Sequence, residues 1–280
     1  MNLTVLTNIE REKYYNCFID TVKKLIELRF NIILDKKFKD IIDCGAINWC
    51  DDEYEIIKSA DIAVIIGGDG TIMRYSKLAA KFNTKVLGIN MGRLGFISSL
   101  ENNELNKLSN VIKGFYTIDK RILFEFKDVE NNKKFLSLNE IVISRNINSQ
   151  IIDYSIYKGN NNICNFRSDG IILSTPTGST AYSMSAGGPI VEPGIECAII
   201  TPIFPHSLNS RSLIVGLDTS MRVKYELRDG SEVNIISDGD LCFNSKKSGE
   251  IEVKKSEIEV EFISLDENRF YKNLKQKLIK

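Results

Sequence analysis

Ile62-Ala63-Val64-Ile65-Ile66-Gly67-Gly68-Asp69-Gly70-Thr71-Ile72 is the stretch on which the fold of this chain turns. Five consecutive apolar residues, most of them β-branched, read as a strand buried on both faces. The glycines read as a tight turn, and the residues around Ile72, Leu78 and Ala79 as a helix. Strand, glycine turn and helix in this order form the repeating unit of a parallel α/β sheet. Such a turn aims backbone N–H groups and the positive end of the helix dipole at one point, an arrangement suited to phosphate oxygens. Asp69 conflicts with that use, because a carboxylate repels phosphate. It fits the turn if it holds a metal, accepts a proton or caps the helix.

Strand and helix alternate around this unit. Residues 3–6 and 32–34 read as strands, and Tyr14, Phe18, Val22, Leu25 and Leu28 form one helical stripe. A helical piece covers 53–59, and 85–89 reads as another buried strand. This predicts an N-terminal Rossmann-like α/β domain, a parallel sheet with helices on both faces. Ligands of such sheets bind beyond the carboxyl ends of strands, where both 67–71 and 90–96 fall.

The pattern changes after about residue 113. Residues 121–126, 135–144, 151–157, 171–174, 198–204, 221–227, 232–236 and 251–262 are β-branched or alternating, with turn residues between them. Asp229-Gly230 is a hairpin signal. The fold class is therefore α/β plus all-β, with a mostly β C-terminal domain. Phe270, Tyr271, Leu274, Leu278 and Ile279 return to helical spacing. The expected division is an α/β domain over 1–113, with 265–280 packing back on it, and a β-rich domain over 114–264.

With 280 residues and 43% apolar composition, the chain can bury the cores of two domains. Its 37 lysines and arginines cancel 37 aspartates and glutamates, so no bulk field draws it to nucleic acid or to an anionic membrane. The six cysteines contain no C-x-x-C pair, and Cys44 and Cys50 have no histidine nearby to complete a zinc site, so reduced thiols are expected. No apolar run approaches about 18 residues. Met1-Asn2-Leu3-Thr4 does not begin a basic segment with an apolar stretch behind it, and a cytoplasmic protein is expected.

A second turn stands at 174–189: Ser174-Thr175-Pro176-Thr177-Gly178-Ser179-Thr180-Ala181-Tyr182-Ser183-Met184-Ser185-Ala186-Gly187-Gly188-Pro189. Its hydroxyls and glycines offer many donors without net charge, which suits a ligand rich in phosphate and ribose oxygens. Neither turn follows the P-loop order or G-x-G-x-x-G.

The two turns and their spacing resemble the NAD kinase family. The resemblance covers 61–96, the pair Asn139-Glu140, the blocks 167–189 and 205–211, and the turn Ser237-Asp238-Gly239. Residues 67–71 alone also resemble turns of diacylglycerol-type lipid kinases and phosphofructokinases. The resemblance implies transfer of the γ-phosphate of ATP to the 2′-hydroxyl of the adenosine ribose of NAD. It makes Asp69 the proton acceptor, Gly70 a backbone contact beside it, and Asn139 and Glu140 the pair that holds NAD. Thr180, Ala181, Tyr182, Ser183 and Ser185 fall where the family's second loop surrounds the adenosine. Asp169 matches a contact to dinucleotide bound largely by a neighbouring subunit, so a homodimer or homotetramer with sites near its interfaces is implied. Asp240 aligns with a ligand-contacting position that is often glutamine.

Arg74, one turn into the helix, is suited to pair with the transferred phosphate or to stand as a solvated charge. Arg167 resembles the ATP-using members, whereas several members with glycine there accept polyphosphate; a structural ion pair is the alternative. No P-loop lysine is present, so Mg2+ or another divalent cation carried with ATP is expected to neutralise the phosphates. His206, the single histidine, has no adjacent nucleophile and reads as structural, and Trp49, Phe18, Phe124 and Phe126 read as core. The competing readings are a lipid kinase and a non-catalytic nucleotide sensor; a carboxylate facing phosphate benefits no pure binder.

Overall fold

The computed structural model describes residues 1–8, 12–42, 44–92, 95–129, 132–146, 150–227, 232–246, 248–266 and 268–278. The Asp229-Gly230 signal, Ile279, and Arg93 and Leu94 of the 90–96 loop lie outside them. Two compact units divide the chain, Met1–Lys120 with Val260–Lys280, and Arg121–Glu259.

The first unit alternates β1 (Asn2–Thr7), α1 (Glu12–Glu27), β2 (Asn31–Asp35), β3 (Ile47–Cys50), α2 (Glu53–Lys58), β4 (Ile62–Gly67), α3 (Asp69–Lys81) and β5 (Lys85–Asn90). The strands pair in parallel in the order β3-β2-β1-β4-β5. The chain leaves β1 toward one edge and returns at β4 toward the other, so the carboxyl ends of β1 and β4 flank the topological switch point. That is the end at which the glycine turn begins. Right-handed crossovers put α1 on one face and α2 and α3, which touch each other, on the opposite face. The stripe of α1 lies as its spacing requires: Phe18, Val22 and Leu25 are fully buried against Leu3, Val5, Val64 and Ile66. Trp49 lies partly buried at the edge of the same core. Its strand, β3, is four residues long, too short to show a period in the sequence.

The second unit is antiparallel. Its strands are β7 (Thr117–Asp128), which enters from the first unit, β8 (Lys134–Ser137), β9 (Glu140–Arg145), β10 (Ile152–Lys158), β11 (Asn161–Ser174), β12 (Cys197–Pro205), β13 (Leu213–Gly216), β14 (Met221–Glu226), β15 (Glu232–Ser237), β16 (Asp240–Lys246) and β17 (Ser248–Ser264), with β6 (Leu100–Glu101) preceding them in the first unit. One series runs β13-β12-β11-β9-β15-β16, and a second runs β11-β10-β14-β17-β7-β8. The long strand β11 joins them, pairing with β10 in its first half and lying between β9 and β12 in its second. Phe124, Phe126, Ile143, Tyr154, Leu173 and Val223 are among the fully buried residues of the core.

The run expected over 135–144 is two strands, because the chain breaks at Leu138-Asn139 to bind a carboxylate described below. Two short helices bear on the site, α4 (Leu108–Ile112) excepted: α5 (Tyr182–Ser185) in the second turn, and α6 (Arg269–Leu278), which packs on the first unit. No helix of the described residues is long and apolar enough to cross a membrane.

Candidate active site

In the first unit, Asp69 is the first residue of α3, and Gly68 is its N-cap with no side chain to offer. Asp69 therefore does not act as the helix cap. Its Oδ2 accepts the backbone N–H of Phe96 at 3.1 Å, while Oδ1 is buried with no hydrogen-bond partner among the described residues. The first N–H groups of α3 also lack intrahelical partners, as at every helix start. A carboxylate gripped by one oxygen and bare at the other, beside those donors, is poised to accept a proton or ligand. Gly67 is required by close approach, since a Cβ there would stand 2.6 Å from Thr71 Cβ, whereas Gly68 and Gly70 have open space around them. A Cβ on Gly95 would stand 2.9 Å from Asp69 Cγ and collide with Oδ1. Met91 N–H donates to Gly67 O at 3.1 Å, tying the ends of β4 and β5. Arg74 is exposed on α3, its guanidinium 5.4 Å from the ring of Tyr75.

In the second unit, Asn139 and Glu140 are held by Asp238. Its carboxylate accepts the N–H groups of Leu138, Asn139 and Glu140 and the hydroxyl of Ser137, all between 2.8 and 3.1 Å. Asp238 and Gly239 both have positive φ, +52° and +87°, and form the tight turn from β15 to β16. The second turn packs on the same segment. Thr175 N–H and Ser174 Oγ donate to Asn139 O at 2.9 and 3.3 Å, and Gly178 approaches so closely that any side chain there would collide with that carbonyl. Glu140 is 7% exposed, and its Oε2 is buried without a partner among the described residues. Burial, and then the charge of Asp238, push its carboxyl up to about 7, against the backbone N–H of Tyr182, which favours the charged form.

The remaining expected residues divide by direction. Tyr182 and Ser185 are exposed, and Thr180 and Ala181 half-buried. Ser183 is buried with its hydroxyl 3.1 Å from Thr201 Oγ1, and Ser179 is turned inward onto Pro176 O and Val191. Asp169 is engaged by Arg145 in a two-pronged ion pair, Nε to Oδ1 at 2.8 Å and Nη2 to Oδ2 at 3.1 Å. Arg167 stands half exposed, 3.7 Å from Asp153 on the neighbouring strand, which is its ion-pair alternative. Asp240 is exposed at the start of β16. His206 is exposed, and its backbone N–H donates to Arg167 O at 2.8 Å. Among the described residues no group of three or more histidine, cysteine, aspartate or glutamate side chains is placed to hold a metal.

Asp238, Gly95 and Gly178 were not singled out from the sequence as site residues. Asp238-Gly239 has a sequence signal, a two-residue turn between alternating strands; the two glycines lie in loops the sequence marks, 90–96 and 174–189, but what each approaches is distant in the chain and leaves no local trace.

Family models of the ATP-NAD kinase N-terminal and C-terminal domains match residues 22–117 and 138–265. The chain is 39% identical over 283 residues to the NAD kinase of Thermoanaerobacter sp. (strain X514), covering 98% of this chain and 97% of that one. It is 36% identical over 236 residues to the NAD kinase of Buchnera aphidicola subsp. Baizongia pistaciae, covering 83% and 80%. In structure it is similar to yeast NADH kinase complexed with NADH, with TM-score 0.88 and 25% identity over 99% of this chain and 87% of that one. An NAD kinase from Archaeoglobus fulgidus in complex with ATP gives TM-score 0.76 and 25% identity, covering 97% and 96%. With both family models matched over most of its length and a relative 39% identical across 98% of it, the chain belongs to the NAD kinase family.

Proposed function

We propose that this chain is a phosphotransferase acting on an alcohol group (EC 2.7.1.23), which moves the γ-phosphate of ATP to the 2′-hydroxyl of the adenosine ribose of NAD and releases NADP and ADP. The observation that carries this reading is the carboxylate of Asp69, fixed through one oxygen at a helix start while the other has no partner among the described residues. In the reaction the ribose 2′-oxygen bonds to the γ-phosphorus, the bond to the β,γ-bridging oxygen breaks, and the hydroxyl proton passes to Asp69. Because phosphoryl transfer asks little covalent work of a protein, orienting that hydroxyl is the larger part of the task.

Residues 1–113 with 265–280 supply Asp69, Gly70 and Arg74, and residues 114–264 hold the dinucleotide. Asn139 and Glu140 bind NAD, and Thr180, Ala181, Tyr182 and Ser185 surround its adenosine, with Ser183 bracing them from within. Asp169 and Asp240 contact dinucleotide in a homodimer or homotetramer, and Arg167 favours ATP over polyphosphate. Mg2+ or a similar divalent ion carried with ATP would supply neutralisation of the triphosphate charge. Most of its ligands would come from ATP, since no three-residue cluster is available among the described residues. The protein works in the cytoplasm.

The purified chain incubated with NAD, ATP and Mg2+ should form NADP, and Asp69→Asn should lower kcat by about 10² to 10⁴ with the fold intact. Absence of NADP with the unaltered chain would refute the activity. Undiminished turnover in Asp69→Asn would refute the base.

A further inference from the structure

Helix α6 reaches the 95–96 loop across 178 residues of chain between Asn273 and Gly95, and its contacts converge on the two residues that bound Asp69. Asn273 is 3% exposed, and its Nδ2 donates to Gly95 O at 2.6 Å. Phe270 meets the ring of Phe96, with centroids 6.3 Å apart, and Lys277 Nζ lies 4.1 Å from the centre of that ring. Residues 270, 273 and 277 are spaced three and four apart, so they form one face of the helix. Arg269 extends the attachment, donating to Ser99 O at 2.7 Å and pairing with Glu101 Oε1 at 3.1 Å. Gly95 and Phe96 in turn bound Asp69: Phe96 N–H holds Oδ2, and the α-carbon of Gly95 is so close to the carboxylate that no side chain fits between them.

We propose that Asn273 is a positioning residue for phosphoryl transfer, setting the aim of Asp69 through the backbone of Gly95 and Phe96. The inference rests on Asp69 being the proton acceptor. The Gly95 carbonyl has to face Asn273 for the next N–H to face Asp69, because one peptide plane joins them. Loss of the amide donor frees that plane to rotate, and the N–H leaves Oδ2. The aspartate then keeps its identity but not its direction, which lowers turnover while leaving NAD to bind through residues 138–140 of the other unit.

The test uses the full chain. Asn273→Asp is nearly isosteric and removes the donor at neutral pH. We expect kcat to fall tenfold to a hundredfold, KM for NAD to stay within twofold, and the loss to shrink as pH falls and the new carboxyl gains a proton it can donate. In the Asp69→Asn background the same change should cost less than twofold, since there is no longer a carboxylate to aim. If Asn273→Asp does not fold, Asn273→Ala, which removes the donor without adding charge, is measured by the same kcat and KM and the same double-mutant comparison. Equal losses in both backgrounds, or a rise in KM matching the fall in kcat, would overturn the proposal and leave Asn273 a structural residue. An active Asp69→Asn variant would instead overturn the base, whatever Asn273 does.

Discussion

Asp238 Oδ1 accepts the backbone N–H of Glu140 at 3.1 Å across 98 residues of chain, and the two carboxyl groups it thereby brings together differ in their supply of hydrogen-bond donors. Asp238 is surrounded by donors, whereas Glu140 Oε2 has none among the described residues and is pushed up to about 7. A buried carboxylate tolerates burial when donors converge on it; its neighbour then meets both low dielectric and like charge.

Asp238→Asn should loosen the Asn139-Glu140 segment. An amide leaves one acceptor oxygen where two served four donors, and it turns an NH2 group toward backbone N–H. The cost is about 2 to 4 kcal/mol of stability, and KM for NAD should rise at least tenfold while kcat changes less. Thermal unfolding and steady-state kinetics check both, and an unchanged KM would contradict the role.

Glu140 makes stability depend on pH. Its carboxyl takes a proton near 7 in the fold and near 4.5 in the unfolded chain, so the fold binds that proton more tightly. The contribution is fully present below about 4.5 and is lost as pH rises through 7. At about 1.4 kcal/mol for each pH unit between those values, the loss is roughly 3 kcal/mol. Without nucleotide, Glu140→Gln should unfold at a higher temperature than the unaltered chain at pH 8, and the gap should close toward pH 4.5. Parallel curves would show that the residue does not titrate there.

Gly95→Ala tests the packing against Asp69 directly. The added methyl has to displace the carboxylate, because the loop is pinned by Asn273 on its other side. A shift of about 1 Å at a reacting group costs about a hundredfold in rate. Turnover should fall by that order with NAD affinity retained, as read by calorimetric titration of NAD alone.

Arg167→Gly should broaden donor use toward polyphosphate. Its ion pair with Asp153 is half exposed, so removing it should change stability by less than about 1 kcal/mol. The donor assay is then read on a folded protein, and an unchanged ATP-to-polyphosphate ratio would sink the assignment.

The hydroxyl density of the Thr180–Ser185 stretch is legible from composition, but the direction of each hydroxyl is not. Ser183 and Ser185 are two residues apart in one short helix, and one faces Thr201 inside while the other is exposed. The same limit separated Arg167 from its partner, since Asp153 becomes its neighbour through strand register alone.

By itself, the sequence determined the parallel α/β half, the β-rich half, the glycine turn with its carboxylate and the family they belong to. These are local properties: periodicity reports which face is buried, and glycine and hydroxyl clusters report where the backbone turns. Tertiary structure alone decided what aims the carboxylate. Phe96 reaches Asp69 over 27 residues of chain, Asn273 reaches Gly95 over 178, and Asp238 reaches Glu140 over 98, separations at which hydrogen bonds leave no periodic trace in the sequence.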